Sequence, residues 1–168
     1  LLIKEDGTAV GTLGGGCVEG DIWFAARTLL NDGGDAHVRD YVLNEDLAAD
    51  DGLICGGTMY FMIDPIRQPA KLLPFAEEVV AAFDGGTPVA IATLLVPPEP
   101  SELTVGTKLL IRENSETAGT LGDFALDAEA ARKAAQLMAL GKNEYVTTDT
   151  GAEIFIEAYT TPSRLILA

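Results

Sequence analysis

Two cysteines are the residues of this sequence best suited to chemistry, and each adjoins a run of glycines. The first, Cys17, stands where a strand-like run gives way to a segment with helical spacing of apolar residues. Glycine permits positive φ and a close approach of backbone amides, and the first amides of a helix carry partial positive charge. This stretch can therefore present a sulfur beside donors that suit an anion. The predicted site comprises Gly14, Gly15, Gly16, Cys17, Glu19, Cys55, Gly56 and Gly57.

The sequence leaves the role of the two thiols open. They could form one site as a redox dithiol, a metal-binding pair or a pocket of soft ligands. A structural zinc site is disfavoured because its ligand set is larger than the two cysteines and one histidine of the chain. The alternative is that the thiols are small buried hydrophobic groups. Glu19 is likewise either a carboxylate of the site or a stabiliser of the first helical turn.

Nothing else in the chain completes a catalytic set. A single histidine argues against a histidine general base and against a Ser-His-Asp arrangement. The glycine run is not the dinucleotide-binding fingerprint, because Cys17 and Glu19 interrupt its spacing, and the sequence contains no P-loop pattern. We therefore expect binding rather than turnover at this site.

The charge of the chain excludes two classes of partner. Its 168 residues carry 26 acidic and 11 basic side chains, a formal net charge of −15. A field of this sign repels nucleic acid and anionic membrane surfaces, and no apolar run approaches the roughly 20 residues of a membrane helix. Two cysteines do not make the disulfide framework of a small secreted protein. We expect a cytoplasmic protein that binds neither nucleic acid nor membranes.

The site must be positioned by the strands and helices around it. A hairpin with Asp6 and Gly7 in its turn precedes the glycine run, and apolar residues recur at helical spacing over 22–30. The unbroken apolar run 88–96 is typical of a buried strand. Further helices are predicted over 71–83 and from Asp127, as the N-cap, to Leu140, and further strands over 37–43, 58–63, 108–112 and 152–158.

An internal repeat with a constant offset runs through the chain, so that Leu1 corresponds to Leu109 and Gly11 to Gly119. Each copy continues into a helical segment that contains the triplet Ala-Ala-Arg and then into strand-like runs. We predict an α/β fold in which a mixed sheet is flanked by about three helices. The fold consists of two related β-hairpin–helix–strand halves, about residues 1–66 and 105–160.

The two halves differ where chemistry would take place. The second half has Gly122-Asp123-Phe124-Ala125 where the first has Gly14-Gly15-Gly16-Cys17, and no cysteine precedes its later strand. A scaffold that forms without cysteine in one half does not need cysteine for packing in the other. The comparison favours a functional role for Cys17 and Cys55.

These motifs resemble those of the XdhC/CoxI family, accessory proteins for xanthine dehydrogenase and related molybdenum hydroxylases. The resemblance spans essentially the whole chain and includes two separate cysteine motifs. It lies in Asp6-Gly7 ahead of Gly11, in Gly15-Gly16-Cys17-Val18-Glu19, in Cys55-Gly56-Gly57, and in Glu153–Glu157 ahead of Pro162.

The resemblance implies that the chain binds the molybdenum cofactor (molybdopterin) and delivers it to the apo form of a xanthine dehydrogenase-type molybdenum hydroxylase. Cys17 and Cys55 would contact the molybdenum or its dithiolene, and the amides of Gly15 to Val18 would hold an anionic group. A cysteine desulfurase and a second copy of the chain are further partners that the resemblance implies. The role is that of an insertion factor rather than an enzyme.

The resemblance also predicts the domain organisation. Residues 1–163 correspond to the N-terminal domain of the family, whose opening strand is incomplete at Leu1. Residues 164–168 correspond to the first strand of a Rossmann-type C-terminal domain, which would be the place for a nucleotide. We therefore expect this chain to be part of a longer protein.

Two other functions are compatible with the sequence. A dithiol or nucleotide-dependent oxidoreductase would use Cys17 and Cys55 as a reversible disulfide. A plain interaction domain would bury both thiols and leave them inert. In a thiol titration under reducing and oxidising conditions, a reversible disulfide would support the oxidoreductase, and slow thiol labelling in the folded state would favour the interaction domain.

Overall fold

The computed structural model describes residues 1–14, 17–43 and 57–162 and divides the chain into two compact units, Leu1–Ile66 and Arg67–Ala168. They are termed unit 1 and unit 2. Unit 1 contains β1 (Leu2–Ile3), β2 (Ala9–Val10), α1 (Cys17–Asp32), β3 (His37–Leu43) and β4 (Gly57–Ile63). Unit 2 contains α2 (Pro69–Phe83), β5 (Val89–Val96), β6 (Lys108–Arg112), β7 (Thr117–Gly119), α3 (Phe124–Leu140), β8 (Glu144–Thr147) and β9 (Glu153–Tyr159).

Unit 2 is built on a five-stranded antiparallel sheet in the order β7-β6-β5-β9-β8. β5 lies at its centre, where Ala92 is opposite Leu109 of β6 on one side and Ile156 of β9 on the other. Because both faces of β5 are covered, apolar side chains point to both faces and do not alternate with polar residues.

One helix covers each face of this sheet. On the first face, Ala130 and Ala134 of α3 share a buried cluster with Leu109. On the second face, Ala82 of α2 packs with Leu110. Since neighbouring residues of a strand point to opposite faces, the alternation of Leu109 and Leu110 between these clusters places the core of unit 2 on both sides of the sheet.

Unit 1 consists of two hairpins and one helix in the residues that the model describes. β1 pairs with β2, and β3 pairs with β4 from His37 opposite Ile63 to Leu43 opposite Gly57. The buried apolar residues described in this unit are Ile22 of α1 and Ile63 of β4. This core is small because the described part of unit 1 has no counterpart of α2 or β5.

The two units repeat the same local geometry. Leu2 lies opposite Val10 in the first hairpin, and their counterparts in the repeat, Leu110 and Ala118, lie opposite each other in the β6–β7 hairpin. The helices α1 and α3 also end at equivalent positions of the repeat, at Asp32 and at the last residue of α3. The offset that the sequence displays is therefore also the offset of the structure.

The predicted α/β class and the two related halves are confirmed, and the described residues contain three helices, as expected. The strand pairs within the described ranges are all antiparallel and are divided among three sheets, since nothing there joins the hairpins of unit 1 as β5 joins those of unit 2. The predicted limits of the domain, 1–163, and of its halves stay a prediction. The strand expected over 164–168 lies outside the described residues.

The start of α3 corrects one expectation. Asp127, expected to be the N-cap, lies within the first turn, and the N-cap is Asp123, whose Oδ1 accepts a hydrogen bond of 2.9 Å from the amide of Leu126. Asp127 accepts instead from the Thr120 hydroxyl and from the Leu121 amide, and each of these hydrogen bonds is 2.7 Å long. Two residues that both suit a cap lie four positions apart, and the sequence does not show which one the chain uses.

Candidate functional site

The turn between β1 and β2 is closed by Asp6. Its Oδ1 accepts hydrogen bonds from the amide of Thr8 over 2.9 Å and from the hydroxyl of Thr8 over 2.7 Å. The hydroxyl bond, followed by the amide bond, lowers the pKa of Asp6 below its ordinary value, because both favour the charged carboxylate. An ionised Asp6 thus holds the hairpin that leads into the glycine run.

Trp23 fastens α1 to this turn. Its indole Nε1 donates to the carbonyl of Gly7 over 3.2 Å, and the guanidinium carbon of Arg27 lies 5.5 Å from its ring centroid. Trp23 is 36% exposed, so it joins helix to hairpin at the surface. Gly7 has φ +86°, which favours glycine, and a Cβ there would require the flexible end of the Arg27 side chain to move.

One hydrogen bond connects the end of this hairpin region to the first turn of α1, and a second lies within the loop between them. The Thr12 hydroxyl donates to Oε2 of Glu19 over 2.9 Å and accepts from the amide of Gly14 over 3.0 Å. These three residues are termed the bracket of unit 1. Because Thr12 and Glu19 lie on either side of the glycine–cysteine stretch, the bracket fixes both of its ends.

Unit 2 contains the same bracket at the equivalent positions of the repeat. The Thr120 hydroxyl donates to Oδ2 of Asp127 over 2.7 Å and accepts from the amide of Gly122 over 2.8 Å. Gly122 has φ +101° and its counterpart Gly14 has φ +106°. Since the second bracket forms in a unit that has no cysteine, the bracket belongs to the scaffold that the two units share.

In unit 2, side chains of the unit itself occupy the first turn of α3 and the space beside Gly122. The carboxylate of Asp123 accepts a hydrogen bond from the amide of Leu126 in the first turn of α3. A Cβ placed on Gly122 would lie 2.7 Å from Cδ2 of Leu103, a residue of the connection between β5 and β6. Both the start of the helix and the side of the turn are therefore occupied by groups of unit 2 itself.

The corresponding space in unit 1 has neither occupant among the described residues. The counterpart of Asp123 is Gly15, which has no side chain that could cap a helix. A Cβ placed on Gly14 would meet no described atom within 4 Å. Glycine at this position supplies no carboxylate of the kind that Asp123 supplies to α3, and the first backbone donors of a helix are suited to an anion.

The structure locates part of the predicted site. Gly14 and Glu19 belong to the bracket, and Cys17 is the first residue of α1, although its side chain is not among the described atoms. Gly57 begins β4 with φ +119° and has no described atom within 4 Å of an added Cβ. Four predicted residues lie outside the described ranges, namely Gly15, Gly16, Cys55 and Gly56. A shared site for the two thiols therefore stays a prediction.

Thr12 is the residue that sequence reasoning missed. The signal was present in the repeat, because Gly-Thr-Leu-Gly occurs at 11–14 and again at 119–122. The hydroxyl of that threonine is the central member of each bracket. The repeat indicated a shared backbone, and only the structure shows which side chain holds it.

Within the described residues, no group of three or more His, Cys, Asp or Glu side chains is arranged to hold a metal ion. None of the helices in that same part of the chain combines the length and the apolar character needed to cross a membrane.

The comparisons with known proteins include a match to a family model. A family model described as the XdhC and CoxI family matches residues 1–41 and 82–149, more than half of the chain. The search of curated proteins found no match. The matched ranges include both hairpins with their following helices, and hence both brackets.

Proposed function

The chain belongs to the XdhC and CoxI family, and on this premise we propose that it binds the molybdenum cofactor and delivers it to the apo form of a molybdenum hydroxylase. The family indicates a role in the maturation of xanthine dehydrogenase and related molybdenum hydroxylases. Within that role we propose that the chain carries the cofactor as an accessory factor and catalyses no reaction itself.

The observation that supports the proposal is the difference between the starts of α1 and α3. In unit 2, the carboxylate of Asp123 takes up the amide of Leu126. In unit 1, Gly15 replaces that aspartate, and the described residues leave the space beside Gly14 open. An anionic group of the cofactor would take the place that the aspartate carboxylate has in the other unit, because both use the same kind of helix-terminal donor.

The thiols would supply the second kind of contact. Cys17 begins α1, next to the donors that would hold the anionic group, and soft thiolate ligands suit molybdenum or its dithiolene better than carboxylates do. Cys55 would be the second sulfur. In the target enzyme the cofactor supplies the metal centre for hydroxylation, and the residues of this chain would hold and shield it until then.

The charge of the chain suits a carrier. A net charge of −15 opposes the retention of an anionic cofactor, so the attraction must come from local amides whose effect ends within a helical turn. Such a site would bind its cargo without holding it irreversibly. The apo-enzyme is the proposed recipient, a cysteine desulfurase and a second copy of the chain are further proposed partners, and the cytoplasm is the proposed compartment.

The proposal is tested by restoring the aspartate that unit 1 lacks. The purified chain is incubated anaerobically with molybdenum cofactor released from a molybdenum enzyme, and molybdenum and pterin are quantified in the protein peak after gel filtration. We expect Gly15→Asp to reduce retention about tenfold or more, because the new carboxylate competes for the amides and repels the anion. Cys17→Ser should also reduce retention.

The matched control is Asp123→Gly, which opens the equivalent position of unit 2 and should leave retention unchanged. Retention by Gly15→Asp and Cys17→Ser at the level of the unaltered chain would overturn the proposed site. If the unaltered chain retains no cofactor, the carrier function itself fails. A reversible disulfide between the two thiols in the same preparations would favour the oxidoreductase instead.

A further inference from the structure

We propose that Glu19 is a positioning residue, which holds the glycine–cysteine stretch through Thr12 and does not itself bind the cargo. This inference rests on the proposed function, because it assigns a role within the same site. Its basis is the bracket, in which the Glu19 carboxylate accepts from Thr12 over 2.9 Å and the Thr12 hydroxyl accepts from Gly14 over 3.0 Å.

The first argument is that the carboxylate has this same structural task in the other unit. Asp127 is the counterpart of Glu19 and accepts from Thr120, which accepts from Gly122. Unit 2 has neither cysteine nor the glycines that follow Gly14 in unit 1. A carboxylate that is needed where there is no site is needed for the backbone, so the role of Glu19 is explained without a ligand.

The second argument concerns charge. A carboxylate in the first turn of a helix is stabilised by the helix dipole but repels an anion that approaches the same amides. Glu19 would therefore be a poor direct contact for an anionic cargo. As the acceptor for Thr12 its charge is used within the chain, and it ties α1 to a residue two positions before the glycine run.

The third argument is that the start of α1 depends more on its bracket than the start of α3 does. The start of α3 is secured twice, by the bracket and by the Asp123 cap. In unit 1 the sequence has glycine at the cap position. The hydrogen bond between Thr12 and Glu19 is a side-chain tie that does not depend on a capping aspartate, and its loss should loosen the segment that begins at Cys17.

The test measures the environment of Cys17 directly. In a Cys55→Ser background, the labelling rate of Cys17 by a maleimide is measured in the folded chain and in urea, and the ratio of the two rates reports how far the fold controls this thiol. We expect Glu19→Ala and Thr12→Val to move this ratio toward one by roughly threefold to fivefold, the effect of losing one charge-assisted hydrogen bond near the surface.

Glu19→Gln is the informative conservative variant. Its amide oxygen can still accept from Thr12 but carries no charge, so a positioning role predicts a ratio close to that of the unaltered chain. Asp127→Ala breaks the bracket of unit 2 and should leave the ratio unchanged. The proposal is overturned if Glu19→Gln shifts the ratio as strongly as Glu19→Ala, if Asp127→Ala shifts it equally, or if the unaltered chain already has a ratio of one.

The labelling experiment needs no cofactor, so its outcome is independent of the proposed function. Where the carrier function holds, Glu19→Gln should retain the cofactor at least as well as the unaltered chain, and Glu19→Ala should retain less. Loss of retention in Glu19→Gln with an unchanged labelling ratio would make Glu19 a direct contact and overturn the positioning role alone.

Discussion

At the scale of single residues, the repeat provides a counterpart for almost every position of interest. The turn of the first hairpin has Gly7 at φ +86°, and the turn of the β6–β7 hairpin has Ser115 at φ +68° in the equivalent place. The backbone hydrogen bonds agree as well. The amide of Gly7 donates to the carbonyl of Lys4, the amide of Ser115 donates to the carbonyl of Arg112, and each bond is 2.9 Å long. The backbone is thus kept while the residue that adopts it changes.

Ser115 is the less favourable solution, because left-handed backbone is strained for a residue with a Cβ. We expect Ser115→Gly to raise the free energy of unfolding of unit 2 by roughly 0.5–1 kcal/mol. Urea denaturation at constant pH measures the change. The reverse substitution in unit 1, Gly7→Ser, should be destabilising, since φ is +86° there and the backbone would be strained with any side chain. A neutral Ser115→Gly would show that the serine is not strained.

The candidate site could be predicted at this scale only in part. The glycines and cysteines stand out because their spacing is unusual and because one half lacks them. Thr12 does not stand out, since a threonine between two glycines also suits an ordinary turn. The role predicted for Asp127 is wrong for a related reason. Asp123 is equally able to cap a helix, and the choice between the two residues depends on where Thr120 lies.

At the scale of elements, the long apolar patterns predicted well and the short ones did not. The helix expected over 71–83 is α2, Pro69–Phe83, and the strand expected over 88–96 is β5, Val89–Val96. β8, which covers only Glu144–Thr147, was not singled out. Four residues contain too few alternations to distinguish a strand from a loop, and β8 exists because β9 pairs with it.

The difference in capping between the helices leads to a prediction for α3. Removing the N-cap carboxylate with Asp123→Ala should lower the stability of unit 2 by about 1 kcal/mol, since the amide of Leu126 loses its acceptor. Asp123→Ser keeps an acceptor and should change stability by a few tenths of a kcal/mol at most. Both values come from urea titrations followed by far-UV circular dichroism. Equal losses in the two variants would rule out the cap as the cause.

At the scale of the whole molecule, the two units share a plan but differ in how many of their described residues are buried. Equivalent side chains differ strongly in burial, as Leu110 is fully buried in β6 whereas Leu2 of β1 is 54% exposed. The cause lies in the elements that surround them, because Leu110 packs with Ala82 of α2 and Val89 of β5. The sequence repeat did not reveal this, since a match between two segments carries no information about what covers them.

This asymmetry predicts that stability resides mainly in unit 2. Leu110→Ala should cost about 2–5 kcal/mol, because it leaves a cavity between α2 and the sheet. Leu2→Ala, the same change at the equivalent position, should cost less than about 1 kcal/mol, because the side chain is already half in water. The pair is compared by urea denaturation, with amide hydrogen exchange to assign the loss to each unit.

Slowly exchanging amides should lie in β5, β6 and β9, whereas those of β1 and β2 should exchange quickly. Similar losses for the two variants, or equal protection of the two hairpins, would mean that unit 1 is covered as completely as unit 2 in solution.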